Sequence, residues 1–232
     1  MRTDHPRHLV SVPRILGTCL TALVALAGCG SGKDEGGTRA PAVAGAFYPG
    51  TPTELKNAVA GFLKEAAAHN PQMDKPLIGL VSPHAGYVFS GKTAGYGYQL
   101  LQGCDFKIVV VMCSTHRVGF TGVAVDPSKE WETPLGRVPV DKKAAQFLID
   151  RCPFAAFYAP AFAQDHTIET QLPFLQETLK DFKIVPVLFG QVNASDIQQF
   201  AAALSALRAQ NPGKVLIIAS TDLSHYKPDA QA

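Results

Sequence analysis

The sequence predicts an α/β fold, with a single twisted, mostly parallel sheet flanked by helices. Three observations predict it. Short apolar runs rich in Val and Ile, at residues 77–81, 106–114, Lys183–Phe189 and 215–219, have the length and composition of strands buried on both faces. Segments with apolar residues at helical spacing lie between them. Strands that alternate with helices imply right-handed crossovers and parallel neighbours. The 232 residues suffice for one domain with a short appendage. A formal charge of +2 and the absence of a basic tract give no support for a nucleic-acid partner.

The N-terminus reads as a signal. Arg2, Arg7 and Arg14 form a basic region, and residues 15–25 are apolar but too short to span a bilayer comfortably. Leu26-Ala27-Gly28-Cys29 then resembles the lipobox of bacterial lipoproteins. Residues 1–28 are therefore expected to be a lipoprotein signal peptide, and Cys29 the lipidated residue of the mature chain. A plain secretory signal is the simpler alternative. The expected location is the periplasmic side of a bacterial membrane, and Gly30, in place of Asp, favours the outer membrane. Residues 29–40 are Gly-rich and polar, a flexible tether, and the folded domain is expected over residues 41–232. Cys104, Cys113 and Cys152 have no disulfide or zinc-knuckle spacing, and Cys113 reads as a small buried hydrophobe.

The first helix opens at Thr51, with Glu54 at capping-box spacing and Leu55, Val59, Phe62 and Leu63 as its apolar stripe. The strand at 77–81 leads into a loop and a helix over about 93–101. Val123–Val125 is a short strand, Trp131 anchors a loop, and Lys142–Ile149 is a helix. Residues 168–179 form another helix, where Pro173 must sit in the first turn or kink it. Residues 194–208 form the last helix, capped by Asn193 or Ser195. Because an open edge there would be a liability, the final strand, 215–219, is expected either to be central with something else bordering it or to belong to an incomplete sequence.

Three histidines follow or border strand runs: His84, His116 and His225. Ligands of open α/β sheets bind outside the carboxyl ends of the strands. Imidazoles distant in sequence thus converge at one sheet edge, as a metal site or catalytic cluster. The simpler alternative is that each is a loop histidine bonded to a backbone carbonyl. Asp222, three residues before His225, adds a hard oxygen. Two histidines and a carboxylate with open positions describe a non-haem Fe(II) site. His166 and Glu169 lie one helical turn apart, a spacing suited to acid–base work, or simply to a helix start.

Residues 86–93, GYVFSGKT, satisfy the phosphate-loop pattern and follow a strand. However, Tyr87, Val88 and Phe89 are bulky where backbone N–H groups would have to converge on phosphate. The loop is expected to wall the histidine pocket, with the Tyr87 hydroxyl toward a ligand and Phe89 packed beneath. A nucleotide-binding loop is the lesser alternative.

The ordered motifs AGAFYPG, SPHAGYVFSG, CSTHRVGF, WETPLG, DHTIETQLPF, PVLFG and STDLSHY resemble the Memo family, whose bacterial members are called AmmeMemoRadiSam system protein B. The resemblance runs from about Pro41 to Tyr226 and implies a fold similar to LigB-like class III extradiol dioxygenases. It implies metal binding by His84 and His116, with iron or copper as the ion, and places His166 at the pocket border. Ser224 falls where animal members carry a cysteine ligand, so Asp222 or His225 is left as the third ligand. The family pattern continues past Tyr226, so the domain is expected to lack its C-terminal part. The activity implied is a metal-dependent oxidoreductase acting on a small molecule. A non-catalytic metal- or peptide-binding module is the alternative.

Overall fold

The computed structural model describes residues 36–69 and 76–231. The expected signal and the Cys29 anchor lie outside the described residues. Among the described residues no helix is long and apolar enough to cross a membrane.

The chain runs β1 (Gly36–Arg39), α1 (Pro52–Ala67), β2 (Gly79–Ser82), α2 (Tyr87–Gln99), β3 (Ile108–Ser114), β4 (Val123–Val125), β5 (Ser128–Thr133) and β6 (Gly136–Pro139). It continues with α3 (Lys142–Ile149), β7 (Ala155–Phe157), α4 (Leu172–Thr178), β8 (Lys183–Phe189), α5 (Ala194–Gln210) and β9 (Val215–Ser220). Six strands form the main sheet in the order β2-β9-β3-β8-β4-β7. Every pairing in it is parallel except β4 with β8. The final strand is thus central, bordered by β2. A second sheet of three strands, β1-β5-β6, accompanies the main sheet that the sequence predicts.

Strand periodicity sorts the core. Val109, Val111 and Cys113 of β3 face a layer built from α1, α2 and α4. Val110 faces the opposite layer, where α3 and α5 pack through Leu148, Phe200 and Leu204. Thr51 caps α1, its Oγ accepting from the Glu54 N–H, as expected. Asn193 makes a reciprocal capping box with Asp196 on α5, which decides between the two candidate caps. Pro173 sits in the first turn of α4, preceded by a short 3-10 turn over Glu169–Gln171, so the helix is shorter than its apolar stripe suggests.

Two boundaries differ from expectation. Gly36–Arg39, expected to belong to a flexible tether, form strand β1, with Arg39 buried. Trp131 does not anchor a loop; it lies in β5 of a hairpin, fully buried, with the Arg39 guanidinium 3.9 Å above its ring.

The phosphate-loop motif is not a loop. Residues 87–93 are the first two turns of α2, and the N–H groups of Phe89 and Ser90 already bond the Gly86 carbonyl. The Tyr87 N–H bonds the Phe47 carbonyl as well, so these three donors are not free to converge on a phosphate. Lys92 pairs with Glu65 of α1 at 2.5 Å on the surface. The glycines serve packing instead. A Cβ on Gly91 would lie 2.5 Å from the Phe62 ring, and one on Gly95 would lie 3.0 Å from the Phe62 carbonyl oxygen. Small residues thus let α1 and α2 approach closely. Gly95→Ala is expected to lower stability by about 1–2 kcal/mol, because overpacking against backbone outweighs the roughly 1 kcal/mol gain in helix propensity. Thermal melting of the variant checks this, and a raised midpoint would contradict the close-packing account.

Candidate metal centre

The carboxyl ends of β2, β3, β8 and β9 open onto a cavity of about 600 Å³. Its polar side holds His84, His116, Ser220, Asp222 and His225; Met112, Phe189, Val192, Ile197 and Leu223 form an apolar wall. The position follows from the parallel strand order, since all four strands end on the same edge.

His84 follows β2 and is 3 % exposed. His116 follows β3 and stands edge-on to it, with ring centroids 4.9 Å apart. His166 completes a trio of rings, 5.6 Å from His84 and 5.4 Å from His116. It is backed by Phe47 at 4.7 Å, and its Nδ1 is buried without a hydrogen-bond partner.

Burial is the main influence on the two inner imidazoles. It pushes His84 down to about 4, assisted by repulsion from His116, His166 and His225 and opposed by Asp222. His166 is lowered for the same primary reason, opposed chiefly by Asp165. Both rings are neutral near pH 7, the form a metal requires.

His116 donates its Nδ1 proton to the Ser114 carbonyl at 2.9 Å, because a carbonyl can only accept. In the neutral ring this leaves the lone pair on Nε2. Asp222 reaches the site from the turn after β9, where Leu223 adopts φ +57°. Asp222 Oδ1 accepts the backbone N–H groups of His84 at 2.6 Å and Ala85 at 3.0 Å. Its Oδ2 is buried with no hydrogen bond, 3.8 Å from His84 Nε2 and 3.2 Å from the half-exposed His225. A buried carboxylate oxygen without a partner is costly, and a cation is one way to satisfy it. That oxygen, without a hydrogen bond and beside the neutral His84 ring, fits a metal ion.

Sequence reasoning missed Cys113. Its Sγ lies 3.9 Å from His84 Nδ1, and the ligand atoms of His84, Cys113 and His116 all fall within 4.8 Å of one another. Strand alternation on β3 was the available signal, since Cys113 shares a face with Val109 and Val111 and ends that strand beside the histidines. Burial pushes the Cys113 thiol up to about 11, so it is protonated near neutral pH.

Glu169 is not part of this centre. It is fully buried, and each of its oxygens is occupied by two donors from elsewhere: Arg39, Tyr48 and the backbone N–H groups of Ala42 and Val43. The one-turn spacing from His166 is real, but the two side chains serve different neighbours. Tyr87 also turns away from the cavity, donating its hydroxyl to the Thr170 carbonyl, while Phe89 is 86 % exposed rather than packed beneath.

The comparisons agree with this architecture. The family model described as Memo-like protein matches residues 39–232. The chain belongs to the Memo family. A MEMO1 family protein of Thermotoga maritima is 38 % identical over 199 residues, covering 82 % of this chain and 71 % of the relative. MEMO1 family proteins of Methanopyrus kandleri and Nitrosopumilus maritimus are 35 % and 32 % identical, each match covering 84 % of this chain and 71 % of the relative. Within this Memo-family chain, the polar cavity at the sheet edge is where the histidines predicted from sequence meet.

Proposed function

We propose that this Memo-family chain binds a single iron or copper ion through His84 and His116 and uses it as a metal-dependent oxidoreductase on a small molecule. The observation that carries the reading is the His84 and His116 pair of imidazoles in a cavity with one apolar wall, with a buried Asp222 oxygen that makes no hydrogen bond lying 3.8 Å from His84. Iron or copper, when bound there, would supply Lewis acidity and redox chemistry. His84 and His116 hold the ion; Asp222 Oδ2 and Cys113 Sγ are the nearest further donors, and His225 stands behind Asp222. His166 borders both ligands with its Nδ1 unengaged, so it can take or return a proton at that atom. The wall of Met112, Phe189 and Val192 holds the apolar body of a substrate and keeps water from it.

Metal analysis of protein purified without chelators tests the reading. One equivalent of iron or copper is expected in the wild type and none in a His84→Ala, His116→Ala double variant. Unchanged metal in the double variant would remove it. Metal-dependent oxygen uptake with catechols, lost in His166→Ala, supports turnover; no uptake over a broad panel reduces the protein to a binding module.

The lipobox-like Leu26-Ala27-Gly28-Cys29 supports an outer-membrane, periplasm-facing anchor. Cys29→Ser is expected to release the protein from membranes, and a variant that stays bound through a carbonate wash would contradict the anchor.

A further inference from the structure

We propose that Gln171 and Ser220 act as positioning residues that fix the tautomer of His84, leaving Nε2 as its metal-binding nitrogen and giving the third coordination position to Asp222 rather than Cys113. The inference rests on the metal-binding reading above. It follows from counting protons along one buried chain of hydrogen bonds.

The chain starts at Tyr98, whose hydroxyl donates to Gln171 Oε1 at 2.7 Å. That bond orients the amide, and Gln171 Nε2 then donates to the Pro83 carbonyl and to Ser220 Oγ, each at 2.9 Å. The reverse orientation would set the amide oxygen against the Pro83 carbonyl. Ser220 Oγ lies 2.6 Å from the Thr167 carbonyl, a separation that requires the hydroxyl proton between them. Ser220 has only that one proton. Toward His84 Nδ1, 3.0 Å away, it can therefore only accept. His84 Nδ1 must carry the ring proton, and the lone pair is left on Nε2.

The two competing donors approach different nitrogens of this ring. Cys113 Sγ is 3.9 Å from Nδ1, the nitrogen that the network has protonated. Asp222 Oδ2 is 3.8 Å from Nε2, the nitrogen that the network has freed. Proximity alone gathers His84, Cys113 and His116. The proton count sets Cys113 aside, and the His116 bond to the Ser114 carbonyl leaves the corresponding Nε2 free on the second histidine. Groups that orient ligand histidines in this way typically change metal affinity 10–100-fold when removed.

The test uses the full-length chain and Co(II) as probe. Nitrogen-15 NMR of the metal-free wild type should show His84 with a protonated Nδ1 and an unprotonated Nε2. Co(II) binding should produce no thiolate charge-transfer band. Ser220→Ala should weaken Co(II) binding about 10–100-fold, Ser220→Thr should restore it, and Asp222→Asn should weaken it as well. An unprotonated Nδ1, or a thiolate band that vanishes in Cys113→Ala, would overturn the proposal. Failure of the wild type to bind Co(II), iron or copper would instead overturn the metal reading. The NMR assignment needs neither metal nor a variant, so it decides the tautomer even then.

Discussion

Glu169→Ala is expected to cost about 3–5 kcal/mol of stability, enough to unfold much of a typical domain at physiological temperature. The Glu169 side chain is fully buried and accepts four hydrogen bonds. Oε2 takes Arg39 Nη1 and the Ala42 N–H, both at 2.8 Å; Oε1 takes the Val43 N–H at 3.0 Å and the Tyr48 hydroxyl at 2.6 Å. Burial and the neighbouring carboxylate hold the Tyr48 pKa well above its usual range, so the hydroxyl remains a donor. Truncation would leave a buried guanidinium, two backbone N–H groups and a phenol without their acceptor. Arg39 would keep its bonds to the Phe162 and Asp165 carbonyls, but neither neutralises its charge.

Glu169→Gln separates charge from shape. It retains one accepting oxygen, so an intermediate loss is expected. Urea unfolding midpoints check both variants. A folded Glu169→Gln protein should retain its metal, because Glu169 does not line the cavity. A variant with an unchanged midpoint but no metal or turnover would restore Glu169 to a chemical role.

How far the sequence could be read depended on what each signal reports. β3, β8 and β9 were legible because strands buried on both faces must be apolar throughout, and Val109, Val110 and Val111 have no exposed side. β1, β5 and β6 were not, because they form a small sheet in which few buried residues are interspersed with half-buried Glu and exposed Lys and Arg. Residues 86–93 were misleading for a steric reason. Glycines that let two helices touch are indistinguishable, in sequence, from glycines that let a backbone approach phosphate. At the site, His84 and His116 could be placed from strand ends alone. Asp222 and His225 were found in the adjoining turn, with Asp222 the better placed, since only its oxygen is buried toward His84. Gln171 and Ser220 carried no signal. An amide five residues beyond His166 looks like any helix residue until Tyr98, Pro83 and Ser220 converge on it.

Acidification is expected to destabilise the metal-free protein between pH 6.5 and about 4, the usual and folded-state values for His84. Burial makes the charged imidazole unfavourable in the fold, while the unfolded chain leaves it in water. Through this window the unfolded state binds more protons than the folded state. The contribution is therefore fully present above pH 6.5, declines as pH falls, and is spent once pH passes below the folded value. His166, lowered in the same direction, adds to the slope. For His84 alone the loss is on the order of 3 kcal/mol, or roughly 6–12 °C in melting temperature for a domain of this size. Melting scans across the window, on wild type and on His84→Asn, check it. The variant lacks the buried imidazole and should show a shallower slope, leaving mainly the share that His166 supplies. Saturation with metal should raise stability above the window and steepen the acid loss, since protons then compete with the ion for the same nitrogens. A wild-type melting temperature that stays flat from neutral pH to 4.5 would show that these imidazoles are not held neutral by burial, and would remove the electrostatic basis for treating them as ready ligands.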